Sequence, residues 1–189
     1  DVLTCEWHNT PLLKDGKLIG AASFVEDITS QVEAEETIKR QASYDNLTGL
    51  PNRRRMMEEL ERAISRSQRT RQYAAVLFLD LDHFKDINDT QGHHVGDLVL
   101  KHFANIVRDA VRGEDVVARF GVEEFVILVE DLGWQDNEAR NKVLSIADKI
   151  LDMGNNVDII EGVEYDLEVS GGIVLFSNGQ WTSHDILKQ

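Results

Sequence analysis

Near the start of the chain, apolar clusters alternate with polar punctuation. The stretch PLLKDGKLIGAASFVEDI, residues 11–28, reads as two strands joined through Asp15-Gly16, because an Asp-Gly pair supplies the positive φ of a tight hairpin turn. Two strands alone are marginal in water, so the segment is expected to end a larger sheet domain. From Ser30 to Ser43 the period becomes helical: Ala34, Ile38 and Ala42 form one narrow stripe, with Thr29 or Ser30 as its cap. This predicts a linking helix over 30–43, whose stripe fits either a short coiled-coil seam between protomers or a rest on its own domain.

Downstream the pattern is that of an α/β domain. A helix is predicted from about Arg53 to Arg66, followed by YAAVLFLDL, a continuous apolar run closed by Asp80 and Asp82. Such a run fits a strand buried on both faces. Next come a short helix near Phe84 to Asp89, a Gly-rich bend GHHVG, and a helix from Asp97 with Val99, Phe103, Val107 and Ala110 on one face. VVARF and EFVILV flank Gly121-Val122 as a hairpin. A type II′ turn is expected there, since it asks for Gly only at its first central position. Asp136 is expected to cap a helix through Met153, stopped by Gly154, with Val143, Ile146, Ala147 and Ile150 inward. Strands around Val157 to Ile160 and Glu164 to Phe176 complete the picture. The predicted fold is α/β (α+β), with a mixed, mainly antiparallel central sheet flanked by helices.

Composition narrows the function classes. The chain has 189 residues, more than the ~100–150 of one domain and short of two. Hydrophobic residues at 42% and charged residues at 29% suit a globular protein, and no apolar run approaches the ~20 residues of a membrane span. No secretory leader is visible in DVLTCEWHNTPLL, and the single Cys5 cannot form an internal disulfide. A cytoplasmic location is expected. The net charge of -14 argues against a broad nucleic-acid surface. A nucleotide remains compatible with it if divalent metal bridges protein carboxylates to the phosphates.

Carboxylates do fall where such a bridge would need them. Asp80 and Asp82, two apart at a strand end, leave on the same face if the strand persists. Glu123 and Glu124 follow a tight turn on another strand pair. One carboxylate from each element suits Mg²⁺, a hard cation that prefers oxygen and keeps waters for phosphate to replace. Solvated acids at strand ends give the same spacing. Spacing alone leaves both open.

Three motifs shift that balance: DNLTGLPNRR, FLDLDHFKDINDTQGHHVGD and RFGVEEF. In order, spacing and residue type they resemble the GGDEF family of diguanylate cyclases, over residues 44–189. The resemblance implies a nucleotidyl-cyclase or polymerase-palm-like fold that joins two GTP into cyclic di-GMP with Mg²⁺ or Mn²⁺. It implies metal ligation by Asp80, the Leu81 carbonyl and Glu123, with Glu123 also the base. Glu124 would support that site, and Lys85 would stand near the phosphates. Substrate-binding positions would be Asn88, His93, Asp97, Gly121 and Val122, with Asn88 and Asp97 suited to guanine's donor and acceptor edge. His94 acquires no role. Arg112 and Asp115 match the family's product-inhibition site, although Arg-x-x-Asp alone reads as a surface ion pair. One GTP per domain implies a homodimer for turnover.

The first part of the chain carries a second resemblance. Trp7 to Leu12, a Gly-bearing hairpin, then Glu26-Asp27-Ile28-Thr29 are similar to the closing strands of a PAS sensor domain. Residues 1–29 would be the C-terminal fragment of such a domain. The combination implies a multidomain signalling protein with a neighbouring sensor and a phosphodiesterase domain as candidate companions, and a parent that can be membrane-tethered.

Departures from the family pattern also count. Val122 replaces the second signature glycine and puts three carbons where bare backbone would approach a nucleotide. An alternative function is therefore a catalytically weak GTP- or cyclic-di-GMP-binding regulatory module. Gly171 stands where the family has an apolar residue. After Asp185-Ile186-Leu187-Lys188-Gln189 the family continues with a helix bearing a phosphate-binding Lys and Arg, so 44–189 is expected to be a GGDEF domain without its last helix.

Overall fold

The computed structural model describes residues 3–154, 158–160, 163–165, 167–179 and 181–188. The chain divides into two compact units, residues 1–42 and 43–189. Among the described residues no helix is long and apolar enough to cross a membrane.

In the first unit, β1 (Cys5–Lys14) and β2 (Lys17–Asp27) pair antiparallel. Asp15 and Gly16 turn between them with φ of 50° and 75°, the left-handed pair that matches strand twist in a type I′ turn. The strands begin well before Pro11, because Trp7 and His8 extend the ladder opposite Val25 and Phe24. His8 stacks on Phe24 at 4.6 Å. Almost every side chain of the hairpin is exposed, Trp7, Leu18 and Ile19 by about two thirds. Helix α1 (Thr29–Ser43) follows. Its start differs from expectation: Asp27 accepts from the N–H of Thr29 at 3.0 Å and from its hydroxyl at 2.6 Å. Thr29 is thus capped rather than capping.

The second unit is built on β3 (Ala74–Asp82). It lies between β5 (Glu124–Val129) and β8 (Glu168–Phe176), and β4 (Val116–Arg119) adds outside β5. Every pairing in this four-stranded sheet is antiparallel. The strand expected around Val157 to Ile160 is β6 (Asp158–Ile160), which forms a separate short hairpin with β7 (Val163–Tyr165), and β7 takes up the start of the segment read as one strand from Glu164 to Phe176. Val157, placed at the start of the predicted strand, lies outside the described residues.

The apolar run of β3 is divided between two cores because alternate residues face opposite sides of a sheet. Ala75, Leu77, Leu79 and Leu81 join one core with α4 (His93–Ala110) and α5 (Asp136–Gly154). Phe103 of α4 meets Phe125 of β5 edge-on at 5.0 Å there. Ala74 and Val76 join the other, against Met56, Leu60 and Ala63 of α2 (Arg53–Thr70) and Ile186 of α6 (Ser183–Ile186). Fully burying each such aliphatic stabilises the fold by about 1.5–3 kcal/mol.

Helix boundaries depart from the periodicity in instructive places. The carboxamide of Asn52 accepts from the Arg55 N–H and starts α2, which runs a turn past Arg66 until Arg71 adopts φ 60°. A polar last turn hid that extension, although Ser67 is buried with its hydroxyl on the Gln72 carbonyl. The expected bend GHHVG is a single residue: α3 (Phe84–Gln91) ends and α4 begins at Gly92, with φ 89° and ψ 158°. His93 to Gly96 are already helical. Nor does Asp136 cap α5; the Ala139 N–H donates to the Gln135 carbonyl, and Asp136 pairs with Arg140 one turn on.

Candidate functional site

The acids gather where β3 and β5 end together. Asp80 is the cross-strand partner of Glu124 on one side and of Ser170 on the other. The Leu81 N–H donates to the Glu123 carbonyl at 3.3 Å, carrying the ladder one residue past β5. Asp80, Leu81 and Glu123 are thus adjacent along the backbone of one sheet end, with Glu124 opposite Asp80. Asp82 is anchored by the Ser170 hydroxyl at 3.0 Å. Among the described residues none of these four carboxylates has an ion-pair partner. Burial, and then the charge of Asp82, push the Asp80 carboxyl above the usual carboxylate range. Like charges facing each other across a ladder are unfavourable without a counter-charge.

The donors fit a hard divalent cation, being carboxylate and carbonyl oxygens with negative charge to spare. The set is two side chains and one backbone carbonyl rather than a three-side-chain cage, and among the described residues no such cage is present. A cavity of about 480 Å³ opens beside Asp80 and Glu124, walled by Arg53, Phe120, Ser170 and Gly171. The departure at Gly171 has a local cause: a Cβ there would stand 2.4 Å from the Phe78 carbonyl oxygen. Strand β8 closes on β3 more tightly than a side chain permits.

The signature hairpin turns differently from expectation. Phe120 and Gly121 both donate to the Glu124 carbonyl, at 2.7 and 3.3 Å. None of residues 120–124 has a positive φ, so a type II′ turn at Gly121-Val122 is excluded. The loop is wider, and Val122 sits in it with ordinary backbone and a side chain 68% exposed.

What holds this loop is Arg119. Its Nε and Nη2 donate to the Val122 carbonyl at 3.2 and 2.7 Å, while its Nη1 lies 3.2 and 3.3 Å from the two Asp45 oxygens. Burial raises the Asp45 carboxyl, but donation from the Thr48 hydroxyl and N–H and the charge of Arg119 outweigh it and leave Asp45 below its ordinary value. The motif DNLTGLPNRR is thereby tied to the signature loop. Neither Asp45 nor Arg119 was a sequence candidate, since only the tertiary fold brings the two motifs together.

The nucleoside candidates stand on α3 and α4. Lys85 is exposed in the first turn of α3, and Asn88 is half-buried one turn later. His93 opens α4 with Nδ1 3.3 Å from the Asn88 Oδ1. Asp97 follows, exposed. Arg112 and Asp115 form a tight turn before β4, where the Arg112 N–H donates to the Asp115 carboxylate and the Asp115 N–H to the Arg112 carbonyl. Their main link is therefore this backbone turn, in place of a guanidinium–carboxylate pair. Burial pushes the Asp115 carboxyl up. They line a separate cavity of about 340 Å³ with Arg55 and Arg108, two further cations that the sequence pattern did not single out.

The family model for the diguanylate cyclase GGDEF domain matches residues 42–189. The chain belongs to the GGDEF family. Among curated relatives of this GGDEF chain, the bifunctional diguanylate cyclase/cyclic di-GMP phosphodiesterase MucR of Pseudomonas aeruginosa is 37% identical over 84% of the chain. The probable diguanylate cyclase DgcE of Escherichia coli is 31% identical over 95% of it. The chain spans only 22% and 16% of those relatives' lengths. Among solved structures, the GGDEF domain of TpbB (YfiN) from Pseudomonas aeruginosa superposes with a TM-score of 0.69 at 34% identity, covering 77% of this chain and 82% of that one. The coiled coil and GGDEF domain of DgcB from Caulobacter crescentus, in complex with c-di-GMP, gives 0.73 at 26% identity, covering 85% and 83%. The GGDEF chain is thus a diguanylate cyclase-like domain of cyclic di-GMP signalling.

Proposed function

We propose that this domain binds GTP with Mg²⁺ or Mn²⁺ and condenses two GTP into cyclic di-GMP, releasing two pyrophosphates. What carries the reading is the meeting of Asp80, Leu81 and Glu123 at one sheet end, negative and without a cationic partner among the described residues. Bound there, a divalent cation would neutralise charge on the α-phosphate and the leaving pyrophosphate. Glu123 takes the proton of the attacking 3′-hydroxyl, Glu124 steadies that site, and Lys85 meets the phosphates. Asn88 and Asp97 read the guanine, with His93 beside them and Gly121 and Val122 along the nucleotide. Each domain holds one GTP, so turnover requires a homodimer in which two sites face each other. Cyclic di-GMP returns to Arg112 and Asp115 as inhibitor.

The hairpin of residues 1–29 is, in this proposal, the last part of a PAS sensor domain, and α1 the link that carries its state forward. Two strands with apolar residues exposed on them support that assignment, because such a ribbon needs further sheet to be stable. A phosphodiesterase domain is a fitting companion, as in the relative MucR, whose name declares both activities.

Val122 favours a second reading, a regulatory module that binds GTP or cyclic di-GMP without turnover. A misplacement of about 1 Å costs on the order of 100-fold in rate, and Val122 carries its bulk at the loop tip. One experiment on this chain separates the readings. GTP with Mg²⁺ is expected to raise the melting temperature, since a ligand at 100 times its Kd stabilises by about 2.7 kcal/mol. Cyclic di-GMP formation abolished by Glu123→Ala supports the cyclase. Binding without product, with product gained by Val122→Gly, supports the module. No shift at millimolar GTP overturns both.

A further inference from the structure

Gly96 is buried on α4, at the junction with α3. A Cβ built on it would stand 2.1 Å from the Asn88 Oδ1, 3.0 Å from its Cγ and 3.2 Å from the Phe84 Cζ. No real carbon approaches an oxygen so closely, so the bare Cα of Gly96 is the floor on which the Asn88 carboxamide rests. Phe84 behind it is only 3% exposed and locked in the main core, which leaves the carboxamide as the group that must yield. His93 also brings its Nδ1 to 3.3 Å from the same Oδ1. His93 and Gly96 are three apart on one helix and share a face. The Asn88 backbone is tied as well, its carbonyl accepting the Gly92 N–H at 3.0 Å.

We propose that Gly96 and His93 are positioning residues that fix the Asn88 carboxamide for reading the amine edge of guanine; this rests on the GTP-binding role proposed above. A carboxamide free to rotate offers donor and acceptor in either order. Held by Gly96 and His93 together, with Nδ1–H of His93 on one lone pair of Oδ1, it keeps the second lone pair for guanine's exocyclic amine and its own NH₂ for the adjacent ring nitrogen. Selectivity for guanine over a base without that amine therefore depends on a residue that never touches the nucleotide.

The test measures affinities of GTP and ITP, which lacks the exocyclic amine, with Mg²⁺ for the wild type, Gly96→Ala, Asn88→Ser and the double variant. Folding of each is followed by its melting temperature without ligand. The wild type is expected to prefer GTP by on the order of tenfold, the effect of one well-made polar contact. Gly96→Ala should bring the GTP/ITP ratio close to one, with GTP losing on the order of tenfold more affinity than ITP, which forfeits only the ring-nitrogen contact. In the Asn88→Ser background, where the shorter side chain clears the new methyl, adding Gly96→Ala should leave the ratio unchanged. A general packing role would instead weaken GTP and ITP alike, and that result overturns the proposal. So does a wild type that binds both equally, or an undiminished ratio in folded Gly96→Ala. Failure of the underlying reading looks different: the wild type then binds neither nucleotide.

Discussion

Asp80 concentrates the physics of the candidate site in one residue. Its carboxyl is raised by burial and by Asp82, and Glu124 faces it across the ladder. A charge so placed opposes folding unless something positive is bound. Asp80→Asn removes the charge while keeping the shape, so it is expected to leave the metal-free protein at least as stable as wild type, by up to about 1 kcal/mol, since burial and Asp82 both disfavour that charge. The same variant should lose the Mg²⁺-dependent rise in melting temperature with GTP. Urea unfolding without metal, set beside a GTP thermal shift, checks both. A variant that is less stable without metal would show that Asp80 serves the fold and not a ligand. Residues such as Asp80 were legible in the sequence because the apolar run of β3 fixes which face each acid takes. Gly96 and Gly171 were not, since the reason for a glycine there is a neighbour, Asn88 in one case and the Phe78 carbonyl in the other.

Between elements, the Asp45–Arg119–Val122 chain joins the loop before α2 to the β4–β5 hairpin. Arg119 is largely covered, with 13% of its side chain exposed, so its hydrogen bonds escape most solvent screening. Arg119→Met should cost about 1–3 kcal/mol and speed hydrogen exchange at the Glu123 amide, with Asp45→Asn coupled to it in a double-mutant cycle. The pH dependence has a definite sign. Asp45 titrates below its unfolded value, so its stabilising contribution is complete above the unfolded pKa near 4 and is lost as pH falls through the folded one. The stability gap between wild type and Asp45→Asn is therefore expected to stay constant from pH 6 to 8 and to close below about pH 4, read by urea unfolding at each pH. A gap unchanged at pH 3 would mean that the carboxylate charge is not what binds Arg119. The types of the long elements were read correctly from periodicity, but the GHHVG bend, the short α6 and the hairpin turn were not. A Gly-Val pair suggests a two-residue turn, whereas the bonds of Phe120 and Gly121 to Glu124 and the grip of Arg119 on Val122 make a wider loop in which positive φ is unnecessary.

At the scale of the whole chain the two units differ in what sustains them. Residues 43–189 have two cores on opposite faces of one sheet, with Leu77, Phe103, Phe125 and Ile127 fully buried on one side and Met56, Leu60 and Leu128 on the other. Residues 1–42 have a ribbon and a helix whose apolar side chains stand in solvent: Trp7, Leu13, Leu18, Ile19 and Ile38 are each more than 60% exposed. Local chemistry alone defines that ribbon, through the Asp15-Gly16 turn and the register it imposes. This is why the hairpin was legible from sequence while its partner surfaces were not: a turn is written in two residues, and a buried face only in whatever covers it. The ribbon without a core is expected to be unstable by itself, because an isolated two-stranded hairpin is marginal in water and short helices are too. A peptide of residues 1–42 should show no cooperative thermal transition and no protected amides along β1 and β2. A protein of residues 43–189 should unfold in one transition, and Leu77→Ala, which empties part of the core under β3, should lower its stability by about 2–5 kcal/mol. Calorimetry of the two pieces decides between this division and one cooperative body. A sharp transition in the peptide would mean that the stacked His8–Phe24 pair and its exposed neighbours stabilise the ribbon unaided, and the proposed assignment of the ribbon to a larger sheet domain would fall.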